Sequence, residues 1–311
     1  MTNERKPDRR EAGAPAAHVK RRRGIRWALG GAGLLAFAIL VVAIARWLRT
    51  LDPVMEFLAA YPGSYPLPEN APVGLPPWLG WQHFFNIFLL LLIVRTGWQI
   101  RRTTTPTALW SSRKVRKRRM SLTVWFHQGL DVLWVANGVI YVVLLFATGQ
   151  WMRIVPTSWD VFPNAVSAVL QYASFDWPTE NSWVNYNSAQ QLAYFVTVFV
   201  AAPLAIASGA RMSAWWPREG RLSKVPYAWA EKLHFPVMIY FVAFVIVHVL
   251  LVLTTGALRN LNHMYASRDD ASWWGFAAFM GSLAVLVAAW LLARTSVIAW
   301  IGRRFGDVTI R

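Results

Sequence analysis

The chain has six histidines, and four of them, His83, His127, His234 and His248, fall inside long apolar stretches or at their ends. Imidazole in such surroundings has two ordinary uses. One is a hydrogen bond between neighbouring helices, which a lone histidine commonly makes. The other is to ligate a metal. The spacing favours the second. His234 and His248 lie fourteen residues apart in one stretch. On an α-helix that interval returns to within about 40° of four full turns and separates the rings by about 21 Å. One helix thus offers an imidazole towards each of its ends, both on much the same side. If successive helices alternate in direction, His83 at the start of the second stretch is level with His248, and His127 at the start of the third is level with His234. Two level pairs of imidazoles match what two haem irons, each ligated axially from both sides, require.

The elements that must position these rings are membrane-spanning helices. Hydrophobic residues make up 56% of the 311 and charged residues 15%, against about 25% charged in an average soluble domain. Residues 27–45, 78–94, 190–210, 235–253 and 273–292 contain no Asp, Glu, Lys or Arg, and about 17–25 apolar residues suffice for a helix to cross the hydrocarbon core. A sixth stretch, 124–147, is apolar apart from His127, Gln128, Asp131 and Asn137. Polar groups at that depth are costly and call for a reason. The predicted fold is an all-α integral membrane protein of six transmembrane helices, with a four-helix core formed by spans two to five. Its parts are a disordered basic tail (1–23), an N-terminal anchor (24–48), the core with its loops (78–265), and a sixth span with a basic tail (273–311).

Cysteine is missing from the sequence. That excludes C-x-x-C-H haem attachment, thiolate iron–sulfur clusters, Cys-ligated zinc and disulfides. The net charge of +17 reflects topology and not a nucleic-acid partner. Nine Lys and Arg lie in residues 1–26, eight in 101–119, five in 211–232 and four from 294 onward. With alternating spans all four clusters share one side, which the positive-inside rule makes cytoplasmic. Both termini are then cytoplasmic in a multi-pass protein of the bacterial plasma membrane, and the basic clusters also meet anionic lipid headgroups. The first span carries Ala43-Ile44-Ala45 near its end, like a signal-peptidase site, yet it is longer than a signal core of about 7–15 residues and reads as a retained anchor. Loop 49–77, with seven prolines, is expected to be irregular and non-cytoplasmic; 149–189 is a long outer loop whose four tryptophans suit a membrane interface or a partner-facing surface.

Asp131 follows His127 by four residues and so shares its helical face. It is a candidate to accept the Nδ1–H of a ligand histidine, to relay protons to a quinone, or simply to join two helices. Arg95, Arg101 and the basic run 113–119 are candidate partners for haem propionates, although topology alone accounts for them. His263, in an outer loop, reads as a solvated histidine, with a partner or propionate contact as the alternative.

The stretches Gln82-His83-Phe84-Phe85-Asn86, Trp125-Phe126-His127-Gln128, Leu233-His234 and Val247-His248-Val249 resemble the histidine quartet of the cytochrome b561-type membrane subunits of bacterial Ni,Fe-hydrogenases and formate dehydrogenases. Residues 254–265, Thr-Thr-Gly-Ala-Leu-Arg-Asn-Leu-Asn-His-Met-Tyr, are similar to an actinobacterial branch of cytochrome b/b6-domain proteins that partner molybdopterin-dependent oxidoreductases. The resemblance covers roughly 78–265. It implies two haems b with His83, His248, His127 and His234 as axial ligands to iron. It also implies electron transfer between membrane quinone and a partner oxidoreductase subunit, with the catalysis on that partner. The extra N-terminal span reverses the core in the membrane relative to the family. The competing reading is a proton- or ion-coupled transporter without haem, using the intramembrane histidines and Asp131; the sequence shows no inverted repeat or paired broken helices to support it.

Overall fold

A computed structural model describes residues 16–114, 119–177 and 181–310, with side chains from residue 26 onward. Six helices among the described residues are long and apolar enough to cross a membrane: Arg26–Leu48, Pro77–Arg102, Leu122–Ala147, Ser188–Met212, Tyr227–Thr254 and Trp274–Leu292. The all-α membrane architecture predicted from the apolar runs is therefore present, with each predicted span inside, or one residue from, one of these helices.

The chain divides into two compact units, Met1–Ala60 with Val169–Pro178, and Tyr61–Ala168 with Thr179–Arg311. The smaller unit contains α1 (Ala16–Leu48) and α2 (Asp52–Ala60). Helix α1 includes residues 16–23, which the sequence assigned to a disordered tail; residues 1–15 of that tail lie outside the described residues. Ala, Lys and Arg are strong helix formers, so a helix nucleated by the apolar span propagates back through them. Helix α2 likewise occupies part of a loop expected to be irregular, because Asp52-Pro53 supplies a favourable helix start. In this unit Arg46 Nε bonds Ser174 O at 3.0 Å and Arg49 bonds Ser174 Oγ at 2.7 Å and pairs with Asp176.

The larger unit holds α3 (Pro77–Arg102), α4 (Leu122–Ala147), α6 (Ser188–Phe195), α7 (Ala202–Met212), α8 (Tyr227–Thr254) and α10 (Trp274–Leu292) as its long elements. A six-residue π-turn, Val196–Ala201, joins α6 to α7 into one span. Pro203 follows it; a proline there lacks the N–H and crowds the carbonyl four residues back, which a widened turn relieves. Between the spans lie α5 (Val161–Ala173), α9 (Ala257–Leu261) and a π-turn at Asn262–Ala266. The large apolar side chains on the outward faces, such as Val132, Leu133, Val139, Ile140 and Val143 of α4, are exposed. In a soluble protein such a patch would be a liability, whereas lipid covers it without cost.

At one end of this unit a three-stranded antiparallel sheet closes the fold: β1 (Ala108–Ser111) between β2 (Arg119–Ser121) and β3 (Asp307–Ile310). Trp110 stands opposite Met120 on one side and Val308 on the other. Helix α11 (Thr295–Phe305) lies beside it and buries Ile298, Ala299 and Gly302, with Ala108 and Leu122 in the same cluster. Gly306 permits a close approach, since a Cβ there would sit 2.5 Å from the Trp110 indole and Ser111 O. The predicted basic tail after the sixth span is thus a folded element, held by strand pairing to a loop nearly two hundred residues earlier.

The four-helix core is built as two pairs. Helix α3 packs along α4, and α7 along α8, while no packing of similar extent joins the pairs. Halfway along, Ala201, Val237 and Phe241 bridge to Leu90 and Trp134, with the Trp134 and Phe241 rings edge to face at 5.9 Å. Phe241 is seven residues from His234 and seven from His248, so this bridge separates the interhelical slot into two compartments.

Candidate functional site

Each compartment contains one of the level histidine pairs. Towards the loop-rich end, His83 of α3 and His248 of α8 approach with ring centroids 6.1 Å apart and planes inclined at 57°. A metal–imidazole bond is about 2 Å and the ring nitrogen lies about 1 Å from the ring centre, so two imidazoles on opposite sides of one ion place their centroids about 6 Å apart. The spacing therefore suits a shared ion. Aromatic neighbours fix the rings: Phe244 stacks on His248 at 5.7 Å and 4°, and Tyr265 meets His83 edge-on at 6.0 Å. Phe244 is one helical turn before His248, the spacing at which side chains meet on a helix. The Nδ1 of His83 is buried with no hydrogen-bond partner.

Towards the sheet end, His127 of α4 and His234 of α8 line one cavity of about 350 Å³, with Asp131, Gly209, Trp216 and Met238 among its walls. Such a volume lies within the range of small-molecule and cofactor sites, about 300–1,000 Å³. Here hydroxyl groups hold the rings. Thr96 Oγ1 lies 2.8 Å from His127 Nδ1 and 2.7 Å from Leu92 O. Ser208 Oγ lies 3.0 Å from His234 Nδ1 and 2.6 Å from Leu204 O. Each hydroxyl has one proton, and each gives it to the carbonyl one turn back, so its oxygen must accept from the imidazole. Both rings are thereby fixed as the Nδ1–H tautomer, which leaves the Nε2 lone pair for a metal.

The next residue on each of those helices is glycine. A Cβ at Gly97 would lie 3.3 Å from His127 Cε1, and one at Gly209 would lie 3.3 Å from His234 Cε1. Thr96-Gly97 on α3 and Ser208-Gly209 on α7 therefore do the same two jobs, one holding the imidazole nitrogen and the other giving the ring room. The sequence reading missed both dipeptides.

Asp131 is placed differently from the sequence expectation. Its Oδ2 lies 3.8 Å from His127 Nε2, on the side of the ring open to a metal, and Thr96 occupies the Nδ1 side. Arg95 faces away from both compartments: it bonds Trp290 O at 2.6 Å and packs over the Trp290 ring of α10. Arg101 lies over Phe235, next to His234, at 3.9 Å. Arg113 bonds Arg303 O at 2.6 Å; residues 115–118 of the basic run lie outside the described residues. His263, expected in solvent, is 3% exposed. Ser182 Oγ and Asp269 Oδ1 lie 2.8 Å from its Nδ1 and Nε2 respectively, and burial lowers its pKa from the ordinary histidine value.

Among the described residues no three His, Cys, Asp or Glu gather as a set for a bare metal ion. Two imidazoles alone leave an iron short of ligands, and a porphyrin supplies the four that are missing. The 6.1 Å spacing of the imidazoles at one end and the cavity lined by two metal-ready imidazoles at the other both fit haem b. No curated protein and no solved structure matches the chain. The profile of the prokaryotic cytochrome b561 family matches residues 74–267, which takes in all four core helices and all four histidines. The chain belongs to the prokaryotic cytochrome b561 family, the membrane haem b proteins of electron transfer.

Proposed function

We propose that the chain binds two haems b, one between His83 and His248 and the other between His127 and His234, and carries electrons through the membrane between quinone and a partner oxidoreductase subunit. The observation that carries this reading is the 6.1 Å approach of the His83 and His248 rings from two different helices. Haem, when bound, supplies the one-electron carrier; substrate chemistry then belongs to the partner. The similarity of residues 254–265 points to a molybdopterin-dependent enzyme as that partner.

The residues of the chain do the positioning. Helix α8 contributes one ligand to each haem, about 21 Å apart along its axis, so a single rigid element sets the distance an electron must travel. Trp134 and Phe241 fill the intervening layer and keep water from it. Asp131 is the acidic side chain lining the sheet-end cavity, placed to exchange protons with a quinone that reaches it. With the basic clusters inside, the sheet end is cytoplasmic and the loop-rich end faces outward. Residues 24–48 serve as an anchor and residues 78–265 as the redox core.

The direct test is a pyridine haemochrome assay on the purified chain. Two protohaems per chain is the expected result. A colourless preparation would sink the reading and favour transport through the same polar groups.

A further inference from the structure

Arg153 lies in a short turn, Gln150–Arg153, just past the end of α4. It is 1% exposed and among the largest fully buried side chains of the chain. Its Nη1 bonds Gly74 O at 2.8 Å and its Nη2 bonds Ser182 O. The guanidinium lies 4.8 Å from the centre of the Tyr186 ring. Its Nε–H has no partner. Carbonyls and a ring face stabilise a cation but do not neutralise it. The ion pairs among the described residues all involve other side chains. Burying a charge without its counter-ion is among the costlier arrangements a fold can hold, so the site calls for an anion.

Ring contacts connect Arg153 to the loop-end histidines. Tyr186 touches Tyr194 at 5.0 Å, and Tyr194 touches His248 at 6.2 Å. A second donor without a partner, the indole N–H of Trp78, is buried at the same end of the core, on the α3 turn that leads to His83. Two unpartnered donors, one of them charged, thus flank the His83–His248 compartment. Arginine's planar fork matches a carboxylate better than any other side chain.

We propose that Arg153, assisted by the Trp78 indole N–H, receives a propionate carboxylate of the haem held between His83 and His248, and that this buried cation raises the reduction potential of that haem. The proposal rests on the two-haem reading above. Its electrostatic sign is fixed: a nearby positive charge favours the reduced form, which carries one positive charge fewer.

The test is an optical redox titration of the full chain in lipid nanodiscs, with His127→Ala used to isolate the loop-end haem. Arg153→Gln is expected to shift the oxidised-to-reduced ratio of that haem about tenfold towards oxidised at fixed potential, about 59 mV for one electron. In a His83→Ala background, which isolates the sheet-end haem, Arg153→Gln should leave the potential unmoved. Arg153→Lys keeps the charge without the fork and should shift less, and it serves as the readable variant if the glutamine form does not fold. Reconstitution with protohaem dimethyl ester removes the carboxylates; the loss of loop-end haem affinity that Arg153→Gln causes with protohaem should then largely vanish, as expected for two partners in one contact. An unchanged loop-end potential in haem-loaded Arg153→Gln overturns the proposal. So does an equal loss of haem affinity from Arg153→Gln with the esterified haem, which would mean that the arginine holds no propionate. If the wild-type chain lacks the loop-end haem, the two-haem reading falls and this inference falls with it.

Discussion

The two histidine pairs are held by different physics. At the sheet end each imidazole is fixed through a nitrogen: Thr96 and Ser208 bond Nδ1, and a glycine beside each hydroxyl leaves space for the ring. At the loop-rich end the rings are fixed by their faces and edges, through Phe244, Tyr194 and Tyr265, and His83 Nδ1 has no partner. Hydrogen bonds select a tautomer, while stacking restrains orientation and is indifferent to which nitrogen bears the proton. The sheet-end imidazoles, as proposed ligands, would therefore be set for metal before any metal arrives. The loop-end ligands are aligned with each other, but their protonation pattern is left to the ligand that binds.

The largest effect should come from removing a ligand. His234→Ala is expected to halve the haem content while leaving the loop-end haem, and His83→Ala should do the reverse; haemochrome content and the remaining absorption band report both. Loss of both haems from either variant would show that the two compartments are not independent and would break the comparison. Replacing the hydroxyls sharpens it. Thr96→Val or Ser208→Ala removes the hydroxyl partner of a buried imidazole N–H, at a cost of about 0.5–1.5 kcal/mol. Loss of such an outer-shell partner typically weakens metal binding about 10–100-fold. The effect should be confined to the sheet-end haem and visible as faster haem transfer to an external acceptor.

The smallest predicted effect concerns the loop that caps the loop-rich end. Asn262 bonds Asp270 Oδ1 at 2.7 Å, and Ser272 Oγ bonds the same oxygen at 2.6 Å. The Ser272 hydrogen bonds, with Arg268 beside them, lower the Asp270 pKa to about 2. A folded-state pKa below the unfolded one contributes stability above the unfolded value, and that contribution is lost as pH falls through the folded one. Hydrogen exchange at residues 262–272 should accordingly stay slow through pH 4 and quicken only towards about pH 2. Opening at pH 5 would show that the carboxylate does not hold the loop.

Much of the site was legible because helical rise converts sequence spacing into depth. His234 and His248 lie fourteen residues apart on one helix, and histidines near the starts of two other spans supply the partners. The hydroxyl–glycine pairs were harder to see. A single Thr or Ser in a span has no period, although the repeat of hydroxyl-then-glycine on two spans is a signal that could have exposed them. Arg153 was counted with the loop charges, since nothing local distinguishes a solvated arginine from one buried against Tyr186. The sequence placed Asp131 on the helical face of His127 and left its role open; the structure puts its carboxylate nearer Nε2 than Nδ1. Spacing by four residues gives a face, whereas the rotamer and the competing Thr96 hydroxyl decide which nitrogen it meets.

The sequence by itself determined the membrane solvent, the number of spans and the pairing of histidines by depth. Each follows from composition and from the fixed geometry of a single helix. Only the tertiary structure decided which hydroxyl holds which imidazole, that residues 307–310 pair as a strand with β1, and that one arginine is buried with no carboxylate beside it among the described residues. Those are contacts between segments far apart in the chain, and they exist only once packing has brought the segments together.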